Sequence, residues 1–172
     1  MKIEYSPEYT SGILFLCTGS IFRSRAAASL ARKYGIDAFS RGFDVNRVYD
    51  EFTESMGYLQ NGKNNNIIID PDAYAFLKKN EVEDYMISSA PKQLLPKDFA
   101  KASIVVCMNY KEHYPMMEKF RMTYNINPHN VCYWDVPDIQ KEEGWKGYED
   151  NLDSMEKSDI LLLIKDKVSS LK

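Results

Sequence analysis

Apolar residues bunch along this chain more often than they alternate. Ile13–Cys17, Ser103–Met108 and Val131–Trp134 are short, nearly continuous apolar runs. A strand covered on both faces needs that pattern, so each run predicts a buried parallel strand. Ala38–Ser40 is a weaker fourth candidate. Between the runs the spacing turns helical. Ser24–Tyr34 is rich in helix formers and stops at Gly35, the residue type favoured just past a helix end. Asp70-Pro71 ahead of Asp72–Asn80 is a cap-plus-proline start. Lys97–Lys101 has room for a short helix, and Asn109–Phe120 predicts a helix whose regularity Pro115 limits. Leu152, Met155, Ile160, Leu163, Ile164 and Val168 form an apolar stripe, which predicts a last helix over Glu149–Ser170.

Strands alternating with helices give an α/β class: a doubly wound, four-stranded parallel sheet flanked by helices. Such sheets place their sites at the carboxyl ends of the strands, here Cys17, Met108-Asn109 and Asp135–Asp138. The stretch 46–66 breaks the pattern. Asn61-Gly62 and Asn64-Asn65-Asn66 read as turns, so an extended loop region is expected there, with one helical piece around Tyr49–Tyr58. No internal repeat or domain boundary is evident, and residues 1–172 are expected to form a single domain.

Composition narrows the function classes. A 44% hydrophobic and 27% charged content is that of an ordinary globular chain. A formal charge of -3 argues against a broad nucleic-acid footprint. The apolar runs are too short to span a bilayer, and the opening MKIEYSPEYTSG lacks the apolar core of a signal peptide. Cys17, Cys107 and Cys132 are too few and too scattered for a disulfide framework, so a reducing cytoplasm is the expected setting. Cys107 and Cys132 fall inside strand runs and are expected in the core, whereas His113 and His129 are expected at the surface or flanking helices. Two histidines and no clustered Cys/His set make a structural zinc site an unfavoured reading.

One segment combines unusual residue types. Cys17 ends the first strand run and Arg23 opens the first helix, with Thr18–Phe22 between them. A strand-to-helix loop collects backbone N–H groups at the positive end of a helix dipole, which favours an anion. Thr18, Gly19 and Ser20 are small enough for the backbone to curl into a nest. The Arg23 fork matches phosphate oxygens, and the environment that attracts phosphate also favours a thiolate. Ser24 can hydrogen-bond that sulfur. A cysteine at a strand end is commonly just a small hydrophobe. A thiol and a guanidinium at the two ends of one tight loop are better explained by a thiolate attacking a phosphorus whose oxygens the arginine and nest hold.

Cys17-Thr-Gly-Ser-Ile-Phe-Arg23-Ser24, preceded by Ile-Leu-Phe-Leu, resembles the Cys-x5-Arg-Ser/Thr phosphate loop of the low-molecular-weight protein tyrosine phosphatases. Asp135-Val-Pro-Asp138 sits where that family carries its catalytic Asp-Pro stretch. Ser40-Arg-Gly42 resembles the Ser-Ala-Gly after its second strand, and Ser103–Asn109 its third strand end. The resemblance excepts residues 1–11 and 46–66. It implies hydrolysis of phosphotyrosine or another aryl phosphate monoester through a cysteinyl phosphate. Cys17, Arg23 and Asp138 would be catalytic, and Thr18, Gly19, Ser20, Ile21, Phe22 and Ser24 would bind the phosphate. Asp135 is the competing acid. It further implies no cofactor, since arginine and backbone supply the electrostatics, and a partner that is a phosphotyrosine protein or a small aryl phosphate rather than nucleic acid or membrane. Tyr49, Trp145 and Tyr148 are candidate pocket walls.

Four positions depart from the family pattern. Ser20 stands where a bracing Asn is usual, and Phe22 where a second cysteine is common. Arg25 replaces a proline, and Ile139 follows Asp138 in place of proline. Two other functions share parts of this reading: a thiol-coupled arsenate reductase, which needs a relay of cysteines, and a phosphotyrosine-binding module weakened in catalysis.

Overall fold

The computed structural model describes residues 12–46, 48, 59–60, 68–86, 90–139 and 154–172. In chain order these form β1 (Gly12–Cys17), α1 (Arg23–Lys33), β2 (Ala38–Gly42), β3 (Leu59–Gln60), β4 (Ile68–Ile69) and α2 (Pro71–Lys79). Then come β5 (Ala102–Cys107), α3 (Tyr110–Tyr124), β6 (Val131–Tyr133), β7 (Asp138–Ile139), β8 (Ser154–Met155) and α4 (Lys157–Ser169). Two short 3-10 turns, Glu83–Tyr85 and Pro96–Lys101, lie between α2 and β5.

The main sheet has four strands in the order β2-β1-β5-β6, all parallel. The apolar runs account for it. Every residue of β1 is buried, and its side chains alternate between two cores. Ile13, Phe15 and Cys17 join α1, α2 and α4 through Ala27, Leu30, Leu77, Ile160 and Ile164. Leu14 and Leu16 join the other face with Val105, Cys107, Met117 and Phe120. The chain leaves β1 toward one face and β5 toward the other, so the crevice between their carboxyl ends is the switch point of the sheet.

Local signals end the elements where expected. Gly35 has a φ of 79° just past α1. Asp70 caps α2, accepting hydrogen bonds from the N–H groups of Asp72 and Ala73, with Pro71 following. Three expectations are corrected. Helix α3 runs through Pro115 to Tyr124, where Asn125 closes it in the left-handed region at φ 50°. Because Pro115 lies one turn in from the start, apolar packing of Met117 and Phe120 outweighs the lost backbone donor. The last helix starts at Lys157, not Glu149: Ser154-Met155 is β8, paired in parallel with β7, and 149–153 lie outside the described residues. The apolar stripe misled because Met155 packs against the core as a strand residue. Cys132 is exposed: on the edge strand β6, Val131 and Tyr133 pack against one core, and Cys132 between them belongs to the opposite, uncovered face. The helical piece expected at 49–58, with Tyr49, Trp145 and Tyr148, also lies outside the described residues. Among the described residues, no helix is long and apolar enough to cross a membrane.

Candidate active site

The loop from Cys17 to Arg23 is pinned on every side. Phe43 N–H donates to the Cys17 carbonyl (3.0 Å) and Asp44 N–H to that of Thr18 (2.9 Å). Asp70 N–H reaches the Ile21 carbonyl (3.2 Å). Close approach fixes two glycines. A Cβ on Gly19 would lie 2.5 Å from a Val48 methyl, and one on Gly42 would lie 2.6 Å from the Thr18 carbonyl oxygen. Ser20 takes a φ of 53°, which an L residue adopts at a cost.

Two of the departures noted above stabilise that strained residue. The Ser20 hydroxyl lies 3.0 Å from that of Ser40 in the middle of β2, and Arg25 Nε donates to the Ser20 carbonyl (3.2 Å). A serine-serine contact and an arginine therefore brace this loop. Arg25 is buried, and burial pushes its guanidinium down to about 10 while Cys17 pulls it the other way.

The sulfur faces donors. Cys17 Sγ is 2.9 Å from the Ser24 hydroxyl, and Ser20 N–H points at it from 3.3 Å. Helix α1 has no side-chain cap and no acid in its first turn, and the N–H groups of Gly19, Ile21 and Phe22 have no acceptor among the described residues. Instead the first turn holds two arginines, at the end of the helix where the dipole disfavours cations. Such a local conflict marks a place shaped for an anion.

Arg23 is buried, and its guanidinium is gripped by residues from two other strand ends. Nη1 donates to Glu112 Oε2 and Nη2 to Glu112 Oε1, both at 2.7 Å. Nη1 also lies 3.4 Å from the Val136 carbonyl, and Nη2 lies 3.4 Å from Asp138 Oδ1. Burial alone would weaken the proton's hold on Arg23. Glu112 first, then Asp138, outweigh burial and push it above its ordinary value. Burial would also raise the Glu112 carboxyl, but Arg23 and His113 hold it well below the usual carboxylate range.

His113 lies in the same cluster, fully buried, which corrects the surface placement expected from sequence. Its Nδ1 accepts from Asn109 N–H (3.0 Å), so the proton sits on Nε2, which faces Glu112 Oε1 at 3.1 Å. The ring is thereby the neutral tautomer, and burial lowers its proton affinity despite Glu112. The Thr18 hydroxyl donates to the same Oε1.

The structure thus gathers Cys17, Thr18, Ser20, Arg23, Ser24 and Asp138 around the sheet's switch point, with Gly19, Ile21 and Phe22 completing the loop. Asp135 is exposed beyond it. Sequence reasoning missed Glu112 and His113. A signal existed: Asn109-x-x-Glu112 directly follows the strand beside β1, and an acid in the first turn at a strand's carboxyl end is within reach of the neighbouring loop.

No family model and no curated protein sequence matches the chain. Solved structures do match in shape. The chain is similar over 94% of its length to Wzb from Vibrio vulnificus in complex with benzylphosphonate, covering 96% of that chain (TM-score 0.60, 15% identity). It is similar over 94% to SP-PTP, a low molecular weight protein tyrosine phosphatase from Streptococcus pyogenes, covering 90% of that chain (TM-score 0.59, 18% identity). It is similar over 96% to a thioredoxin-dependent arsenate reductase from Corynebacterium glutamicum, covering 62% of that chain (TM-score 0.56, 15% identity). The fold is that of the low-molecular-weight protein tyrosine phosphatases.

Proposed function

We propose that this protein is a phosphatase of aryl phosphate monoesters, phosphotyrosine among them, working through a cysteinyl phosphate. The observation that carries the reading is one loop holding Cys17 Sγ and Arg23 at its two ends, with Ser24 Oγ and Ser20 N–H on the sulfur. Those donors stabilise a thiolate, and the N–H groups of the loop and of the start of α1 match phosphate oxygens.

In the proposed reaction the Cys17 sulfur forms a bond to phosphorus as the bond to the ester oxygen breaks. Asp138 gives its proton to the departing phenolate oxygen. Water then attacks phosphorus, Asp138 takes its proton, and the sulfur–phosphorus bond breaks to release phosphate and the thiolate. Arg23 and the loop N–H groups hold the equatorial oxygens through both steps. The 3.4 Å approach of Asp138 to Arg23 supports Asp138 as the acid over the exposed Asp135.

A thiol-coupled arsenate reductase needs a second cysteine within reach of the first. Cys17 and Cys107 lie on neighbouring strands but face opposite cores, and Cys132 lies on the edge strand. That disfavours the relay among the described residues. A binding module without turnover draws support from Glu112, whose carboxylate already holds Arg23.

Steady-state hydrolysis of p-nitrophenyl phosphate by the wild type and by Cys17→Ser separates the three. The proposal expects turnover that Cys17→Ser abolishes while inorganic phosphate still binds. Near-normal turnover in Cys17→Ser would sink the mechanism. Phosphate binding without turnover in the wild type would favour the module, and thioredoxin-coupled turnover of arsenate the reductase.

A further inference from the structure

Glu112 lies in the first turn of α3, outside the motifs singled out in the sequence. Its backbone N–H is satisfied by the Asn109 side chain (3.1 Å), while its carboxylate crosses from the end of β5 to the end of β1. There it meets Arg23 fork to fork at 2.7 Å, the geometry in which a phosphate would also pair with a guanidinium. The neighbours of this pair can be named. His113 is neutral, as its Nδ1 accepts a hydrogen bond. Thr18 and Asn109 are uncharged. Asp138 stands 3.4 Å from Nη2, and Cys17 and Arg25 flank the loop from within. Glu112 therefore cancels most of the charge that Arg23 would otherwise present to an incoming anion and to Asp138.

We propose that Glu112 is a positioning residue that sets the strength of Arg23: it fixes the guanidinium plane through both Nη atoms and weakens the site's grip on phosphate. The assignment deepens the phosphatase reading and rests on it. It also gives a physical role to the contrast in distances around Arg23. The two 2.7 Å bonds to Glu112 are the fixed anchor, and the 3.4 Å contact to Asp138 is the one that yields when an oxyanion arrives.

The test compares the wild type, Glu112→Gln and Glu112→Asp. Calorimetry with inorganic phosphate reads affinity without requiring turnover. Neutralising the carboxylate is expected to tighten phosphate about tenfold, a modest share of what a unit charge does at such distances in a site of reduced dielectric. Glu112→Asp keeps the charge but withdraws it by a methylene, and is expected to tighten phosphate about two- to threefold. It also serves if Glu112→Gln fails to fold. With phenyl phosphate, whose leaving group needs a proton, Glu112→Gln should lower both KM and kcat near neutral pH. The pH profile of kcat should move toward acid, because Arg23 then faces the site with its charge uncancelled. Unchanged or weaker phosphate binding in both variants, with an unmoved pH profile, would make Glu112 a packing element and overturn the inference. Absence of turnover in the wild type would instead overturn the phosphatase reading, and the order of phosphate affinities would still decide Glu112.

Discussion

Helix α1 is buried along most of its length, but its two halves are buried in different ways. Through Ala26, Ala27, Ala28, Leu30 and Ala31 it presents mostly small apolar side chains to a core shared with Ile160, Ile164 and Val168 of α4. In its first turn it buries Arg23, Ser24 and Arg25 instead. The apolar half follows local preference: alanine is the best helix former, and small residues let α4 approach. The polar half opposes it, with two cations at the positive end of the dipole and partners drawn from the loop before it, the first turn of α3 and the start of β7. One half makes the helix stable, and the other spends stability on a fixed arrangement of charge and donors.

The sharpest way to break this comparison is to remove a partner from each half. Arg23→Ala leaves Glu112 buried without its guanidinium, and should cost about 3–5 kcal/mol in urea unfolding. Ile164→Val, in α4 against the apolar half, should cost about 0.5–1.5 kcal/mol. If Arg23→Ala proves the milder change, the polar half is not held as described.

A smaller effect comes from pH. The His113 ring binds its proton less well folded than its ordinary value of 6.5, so the unfolded chain takes up that proton first. Stability is therefore full above about pH 6.5 and falls as the solution is acidified below it. Glu112, held below its ordinary 4.5, adds a second loss under that value. Unfolding at about pH 7.5 and about pH 5.5 checks the sign. His113→Gln should flatten the upper part of the slope, whereas Ile164→Val should lower the whole curve evenly. Equal wild-type stability at both pH values would contradict the neutral buried ring.

The two halves also differ in how legible they were. Parallel strands, α1, the Asp70 cap of α2 and the Gly35 stop followed from periodicity and punctuation, because these express local preferences and two-sided burial. The loop was legible because Cys17 and Arg23 are chemically odd at its two ends. Glu112 and His113 were not, since a buried ion pair is decided by tertiary geometry, and the spacing of α3 gives a polar first turn whether it faces water or Arg23. Arg25 was visible as a departure from a family pattern and Ser40 as a match to it, but their joint hold on the left-handed Ser20 needed coordinates. Cys132 misled for a related reason: an apolar run marks a strand but does not tell a central strand from an edge.

The account's central claim is that phosphorus bonds to Cys17 during turnover. Asp138→Ala slows proton transfer, by about 10²–10⁴-fold where a proton is needed. With p-nitrophenyl phosphate, whose leaving group departs without one, the first step should proceed while hydrolysis of the intermediate lags. Rapid quenching of that variant, followed by peptide mass analysis, should find a phosphoryl group on the peptide carrying Cys17 and none in the Cys17→Ser, Asp138→Ala double variant. Turnover with phosphate on another residue, or with no covalent species at any time, would contradict it.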